Sequence, residues 1–181
     1  MLRFECYVPA RRLLWNGGTC RIVSIVLLIM EVSAEMADFR RLTDRISVSP
    51  QITPQEVAEA AAQGFALIVN NRPDGEETGQ PSGESVEAAA RAHGLRYIAI
   101  PVGHEGLGED QITAMKDALA DAEGKTLAFC RSGTRSTYLW ALAEAARGEK
   151  PALLRAHAVD AGYDLSPIAP TLDVIATRAH G

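Results

Sequence analysis

Short continuous apolar runs alternate along this chain with alanine-rich stretches and polar loops. Ile46-Ser47-Val48 predicts a short first strand. Thr53-Pro54-Gln55-Glu56 predicts a helix start: a capping threonine, a proline in the first turn and a glutamate three residues on. The alanine-rich body of that helix is expected to end at Gly64. Residues 65–69 are apolar throughout, as a strand buried on both faces requires. A loop over 70–83, rich in glycine, proline and acid, separates it from a helix over 84–93 that Gly94 stops. A strand over 95–100, closed by Pro101, leads through a loop over 102–108 into a helix over 110–122. Residues 126–129 predict the last strand and 136–146 the helix behind it. Helices over 152–161 and 171–179 follow, both with packing roles.

Strands alternating with helices imply βαβ units. The expected fold is therefore α/β: a single domain with a largely parallel sheet of four to five strands flanked by helices. In such sheets ligands bind beyond the carboxyl ends of the strands. Loops 70–83, 102–108 and 130–135 are expected to meet there.

The first 35 residues depart from this pattern. Arg11, Arg12 and Arg21 flank an apolar run over 22–30, followed by the small residues of Val32-Ser33-Ala34. The run is well short of the ~20 residues that cross a bilayer, so no stable membrane span is expected. Basic flank, apolar run and small residues imitate a secretory signal. The reading preferred here is an upstream extension, non-native or disordered, with the domain proper over 36–181 starting at Met36-Ala37-Asp38-Phe39. With 181 residues the chain fits one domain. Its 18 lysines and arginines against 23 aspartates and glutamates give a net charge of −5, which argues against nucleic acid as a partner. Three cysteines without pairing spacing suggest no disulfide framework, and four dispersed histidines suggest no metal site. A reducing, cytoplasmic setting suits such a chain.

The chemistry concentrates at Cys130. The last apolar run leads into Cys130-Arg131-Ser132-Gly133-Thr134-Arg135-Ser136, at the mouth of a helix. Unpaired N–H groups of the helix start, two arginines and a glycine that lets the backbone curl would favour a thiolate and hold an anion beside it. Cys6 and Cys20 lack such surroundings and read as small apolar residues.

Cys130-x-x-Gly133-x-Arg135-Ser136 resembles the active-site loop of single-domain rhodaneses. With one residue fewer, it also resembles the Cys-x5-Arg loop of protein tyrosine and dual-specificity phosphatases. Three stretches together resemble a bacterial family, the phosphatase-like domain of beta-lactamase hydrolase-like proteins: residues 39–52, the run Ile68-Val69-Asn70-Asn71-Arg72-Pro73-Asp74-Gly75-Glu76, and the Cys130 loop. The resemblance covers residues 37–147. It implies a dual-specificity-phosphatase-like fold carrying a loop of rhodanese length.

Fold and loop then point to different reactions. In dual-specificity phosphatases an aspartate after a strand ending like Ile-Pro-Val serves as general acid. Here Ile100-Pro101-Val102-Gly103-His104-Glu105 places His104 and Glu105 at that point. Asp74, from the neighbouring loop, is a further candidate acid, although Pro-Asp-Gly is also ordinary turn chemistry. Sulfur transfer needs no strong acid. The expectation is a rhodanese-like sulfurtransferase with no cofactor, in which Cys130 carries a persulfide and Arg135 and the loop amides bind the anion. Ser132, Gly133 and Thr134 complete the loop, Ser136 hydrogen-bonds the thiolate, and Arg131 steers a small sulfane-sulfur donor. The alternatives are a phosphomonoesterase using Cys130 with Asp74 or His104 on a phosphate ester, and a non-catalytic anion-binding module. Oligomeric state is not legible.

Overall fold

The computed structural model describes residues 37–180. Within them the chain runs β1 (Arg40–Arg41), β2 (Ile46–Ser49), α1 (Pro54–Ala62), β3 (Phe65–Asn70), α2 (Gly83–Ala92), β4 (Arg96–Ala99), α3 (Glu109–Ala120), β5 (Lys125–Phe129) and α4 (Thr134–Ala145). α5 (Pro151–Asp160), a 3-10 turn (Ser166–Ile168) and α6 (Ala169–Ala179) follow. The sheet order is β1-β2-β5-β3-β4; β1 lies antiparallel to β2 and every other pairing is parallel. β1 is the one strand that the pattern did not predict: two arginines carry no apolar alternation. The reading of the first 35 residues, like Cys6 and Cys20, lies outside the described residues. Among the described residues no helix is long and apolar enough to cross a membrane.

Side-chain alternation splits the core between the two faces of the sheet. Ile46, Val48, Leu67, Val69 and Ala128 face α3 to α6, where Met115, Leu139, Trp140, Leu142, Leu154 and Leu172 are buried with them. Phe65, Ile68, Leu127 and Phe129 face the other way, onto Val57 and Ala60 of α1 and Val86 and Ala90 of α2. Phe65 and Ile68 can share a face only because the β3–β5 register shifts between Phe65 and Leu67. α4 packs against α3, α5 and α6 and is buried nearly all round, as a helix without an amphipathic stripe must be.

Local chemistry fixes where the elements begin. Thr53 Oγ1 accepts from Glu56 N–H while the Glu56 carboxylate accepts from Thr53 N–H, closing the capping box that starts α1. α4 starts two residues earlier than its sequence suggests, because Gly133 adopts the left-handed conformation (φ 86°) that turns the chain out of the Cys130 loop. Arg135 therefore belongs to the helix's first turn.

Candidate active site

β5 delivers Cys130 to the carboxyl edge of the sheet, between the ends of β2 and β3. Its N–H donates to Ser49 O of the first at 3.4 Å, and Asn71 N–H, just past the second, donates to Phe129 O at 2.8 Å. The Cys130 side chain is fully buried, and its Sγ accepts the N–H of Gly133 at 3.2 Å. The loop thus folds back so that a backbone amide addresses the sulfur itself. Thr137 locks the turn: both its N–H and its Oγ1 donate to Gly133 O at 2.9 Å. Ser132 Oγ donates to Thr134 Oγ1 at 3.1 Å on the exposed rim. The helix start and the Gly133 amide make a place where negative charge on sulfur, or on a group attached to it, is stabilised.

Arg135 is where the three loops converge. Its Nη1 donates to Glu76 Oε1 (2.5 Å) and to Val102 O (2.8 Å), and its Nη2 donates to Glu76 Oε2 (2.8 Å). Glu76 also accepts from Nε of Arg72 at 2.9 Å. Arg72 is buried; it reaches Gln51 Oε1 at 2.9 Å and Glu77 Oε2 at 3.1 Å. Arg131 is exposed, 3.6 Å from Glu77. The Arg135 guanidinium, and Arg72 with it, hold the Glu76 carboxyl down at about 2 against an opposing effect of burial. The bonds to Glu76 raise the affinity of Arg135 for its proton against an opposing effect of burial, and the neighbouring Cys130 adds to the rise.

Glu76 binds protons less readily in the folded chain than in the unfolded one, where the ordinary value is 4.5. Its arginine bonds therefore stabilise the fold in full above that value, and the contribution is lost as pH falls from 4.5 towards 2. Thermal unfolding followed across this window is expected to show a steeper fall in melting temperature for wild type than for Glu76→Gln. Parallel curves would contradict the ion pair.

A second brace comes from the far end of the chain. Tyr163 OH donates to Ser132 O at 3.2 Å, and the Arg40 guanidinium lies 5.3 Å from the centre of its ring. Burial pushes the Tyr163 hydroxyl's pKa up. A Cβ on Gly133 would lie 1.9 Å from that hydroxyl oxygen, so a larger residue there forces the loop or the tyrosine to move.

The other expected residues divide. Ser136 is buried beneath the loop, but its Oγ has no hydrogen-bond partner among the described residues; the expected bond to the sulfur is not made. The early start of α4 sets Ser136 inside the first turn, and Gly133 N–H supplies the donor instead. Asp74 Oδ1 accepts from Gly83 N–H at 2.8 Å, at the start of α2, a helix-capping position. His104 is exposed in the turn after β4. Gln51, Arg72, Glu76 and Tyr163 were not foreseen. Arg72 and Glu76 stand in the motif that carries the family resemblance, which is the signal that could have singled them out. A cavity of about 180 Å³ bordered by Arg45, Thr126, Trp140 and His157 lies elsewhere, at the amino ends of β2 and β5.

Comparison with known proteins agrees with this architecture. The family model for the beta-lactamase hydrolase-like protein, phosphatase-like domain, matches residues 38–147. A beta-lactamase hydrolase-like protein of Xylella fastidiosa is 40% identical over 126 residues, which are 67% of this chain and 29% of that protein. The chain thus spans under a third of the length of this curated relative. A Neisseria meningitidis crystal structure, assigned provisionally to the phosphatases, superposes with a TM-score of 0.68 at 28% identity, covering 76% of this chain and 98% of that one. P. aeruginosa TpbA, solved as a cysteine-to-serine form in complex with pTyr, shares the fold with a TM-score of 0.56 at 15% identity, over 80% of this chain and 91% of that one. The single α/β domain is thus dual-specificity-phosphatase-like in fold, and the chain belongs to the family of phosphatase-like domains of beta-lactamase hydrolase-like proteins.

Proposed function

We propose that residues 36–181 form a cysteine-dependent sulfurtransferase that carries sulfane sulfur as a persulfide on Cys130. The observation that carries the reading is the small ring: four residues separate Cys130 from Arg135, and the Gly133 amide points at Sγ from 3.2 Å. A ring centred on sulfur suits a terminal persulfide sulfur better than a tetrahedral phosphate. The engagement of Asp74 at the start of α2 and the exposure of His104 support it further, since sulfur transfer needs no strong acid.

In the first half-reaction the Cys130 thiolate attacks the outer sulfur of a donor such as thiosulfate. The donor's S–S bond breaks with its electron pair leaving on sulfite, and a new S–S bond forms on Cys130. Loop amides and Arg135 stabilise the persulfide anion. In the second half-reaction an acceptor, cyanide or a thiolate, attacks the outer sulfur and regenerates the Cys130 thiolate. Neither half needs an added oxidant, reductant or cofactor. The chemistry suits a reducing compartment such as the cytoplasm.

The comparisons lean to a second reading, phosphomonoester hydrolysis. The family description names a phosphatase-like domain, and the TpbA structure contains pTyr. On that reading Cys130 attacks phosphorus, Arg135 binds the phosphoryl oxygens, and Asp74 or His104 protonates the leaving oxygen, a step worth about 10²–10⁴ in rate. Assaying wild type and Cys130→Ser for thiocyanate formation from a sulfane donor and cyanide, and for aryl phosphate hydrolysis, separates the two. The sulfurtransferase reading expects Cys130-dependent thiocyanate formation and aryl phosphate turnover at least ~100-fold slower. Brisk Cys130-dependent phosphate release without sulfur transfer would overturn it. Inertness to both, with anions still shielding Cys130, would leave an anion-binding module.

A further inference from the structure

Glu76 meets Arg135 end-on, taking one hydrogen from each terminal nitrogen, and the other hydrogen of Nη1 goes to Val102 O. A guanidinium has five N–H donors in a fixed fork. The side edge carries Nε–H and the remaining hydrogen of Nη2, and the guanidinium also interacts with Cys130. Charge around that edge is balanced closely. Arg72, Arg131 and Arg135 are tied to Glu76 and Glu77, and a Cys130 thiolate cancels the positive charge that remains. Glu76 and Arg135 side chains each keep only 24% of their exposure, so this balance is felt in a partly dry setting where charge counts for more than in water.

We infer that Glu76 and Glu77 set the charge of the site, and that it takes singly charged sulfane-sulfur anions, organic persulfides or thiosulfonates, in preference to dianions such as thiosulfate. The sulfane-sulfur part of this inference rests on the sulfurtransferase reading; the charge selection does not. With the site balanced, a dianion entering beside the thiolate leaves two uncompensated negative charges in this partly dry setting, and a monoanion of the same shape leaves one. A phosphate monoester, with a charge of about −1.5 to −2 at neutral pH, falls on the disfavoured side.

The test uses two probes of like shape that differ by one charge. Sulfate and methanesulfonate, at fixed ionic strength, are titrated for protection of Cys130 against iodoacetamide, read at the Cys130 peptide in the full chain. Wild type is expected to be protected by methanesulfonate at concentrations no higher than sulfate requires. Glu76→Gln should shift the ratio towards sulfate by about tenfold, because the added charge acts twice on a dianion. Glu77→Gln, farther from Arg135, should shift it in the same direction by less, and serves should Glu76→Gln fail to fold. A wild type that prefers sulfate more than tenfold, or a ratio unmoved in the folded variants, would overturn the inference. Turnover of methanethiosulfonate and thiosulfate in parallel tells the two failures apart. Absence of sulfur transfer from both donors would defeat the sulfurtransferase reading and the donor class with it, while the protection ratio still decides charge selection.

Discussion

Replacing Gly133 with alanine is expected to cost at least ~100-fold in Cys130-dependent turnover, the scale set by small misplacements of reacting groups. Two causes act together. The residue has φ 86°, where an alanine is strained by about 1–3 kcal/mol. Its new Cβ would also stand 1.9 Å from the Tyr163 hydroxyl oxygen and 2.8 Å from the ring carbon that bears it. Either the tyrosine retreats and gives up its bond to Ser132 O, or the loop shifts and carries the Gly133 amide off Sγ. Adding Tyr163→Ala removes the clash but not the strain, so the double variant should recover part of the loss. Kinetics on the two single variants and the double variant read this coupling directly. A Gly133→Ala enzyme with half or more of wild-type activity would show that the amide on sulfur is dispensable.

The largest effect on stability is expected at Arg72. The residue is 4% exposed, and its guanidinium holds Glu76, Glu77 and Gln51 at once. Arg72→Leu keeps most of the apolar stem and removes the cation. Breaking a buried pair costs about 3–5 kcal/mol when the partner stays buried. Here Glu77 is 53% exposed and Glu76 24%, so both carboxylates find some water and about 2–3 kcal/mol is expected. Arg72→Lys should recover little, because an ammonium cannot serve three partners through one planar fork. Thermal or urea unfolding of the three proteins decides this, and a stable Arg72→Leu protein would mean that the network contributes nothing to the fold.

The contrast between these sites explains how far the sequence could be read. Gly133 was visible because the cue is local: a glycine between an apolar run and a helix, two residues before an arginine. The parallel sheet was visible for the same reason, since runs such as Phe65-Ala66-Leu67-Ile68-Val69 stand between alanine-rich helices. β1 was not, because two arginines join the edge of the sheet through backbone bonds alone. Nor was the partner of Arg135. Glu76 lies 59 residues away in a loop that reads only as polar and acidic, and no periodicity links two residues across that distance. Tyr163 sits past the residues that match the family, between helices whose apolar positions suggested packing alone. Ser136 shows the opposite failure: a local pattern implied a bond to sulfur, and a helix beginning two residues early set the hydroxyl elsewhere.

Intact mass of the protein, taken after exposure to a sulfane-sulfur donor and removal of excess reagent, shows whether Cys130 carries sulfur. The expected result is a gain of one sulfur atom, about 32 Da, located on Cys130, absent from Cys130→Ser and discharged by cyanide. Exposure to an aryl phosphate should leave the mass unchanged. A phosphoryl adduct on Cys130, with no sulfur adduct from any donor, would rule out persulfide transfer and give the site to phosphate ester hydrolysis.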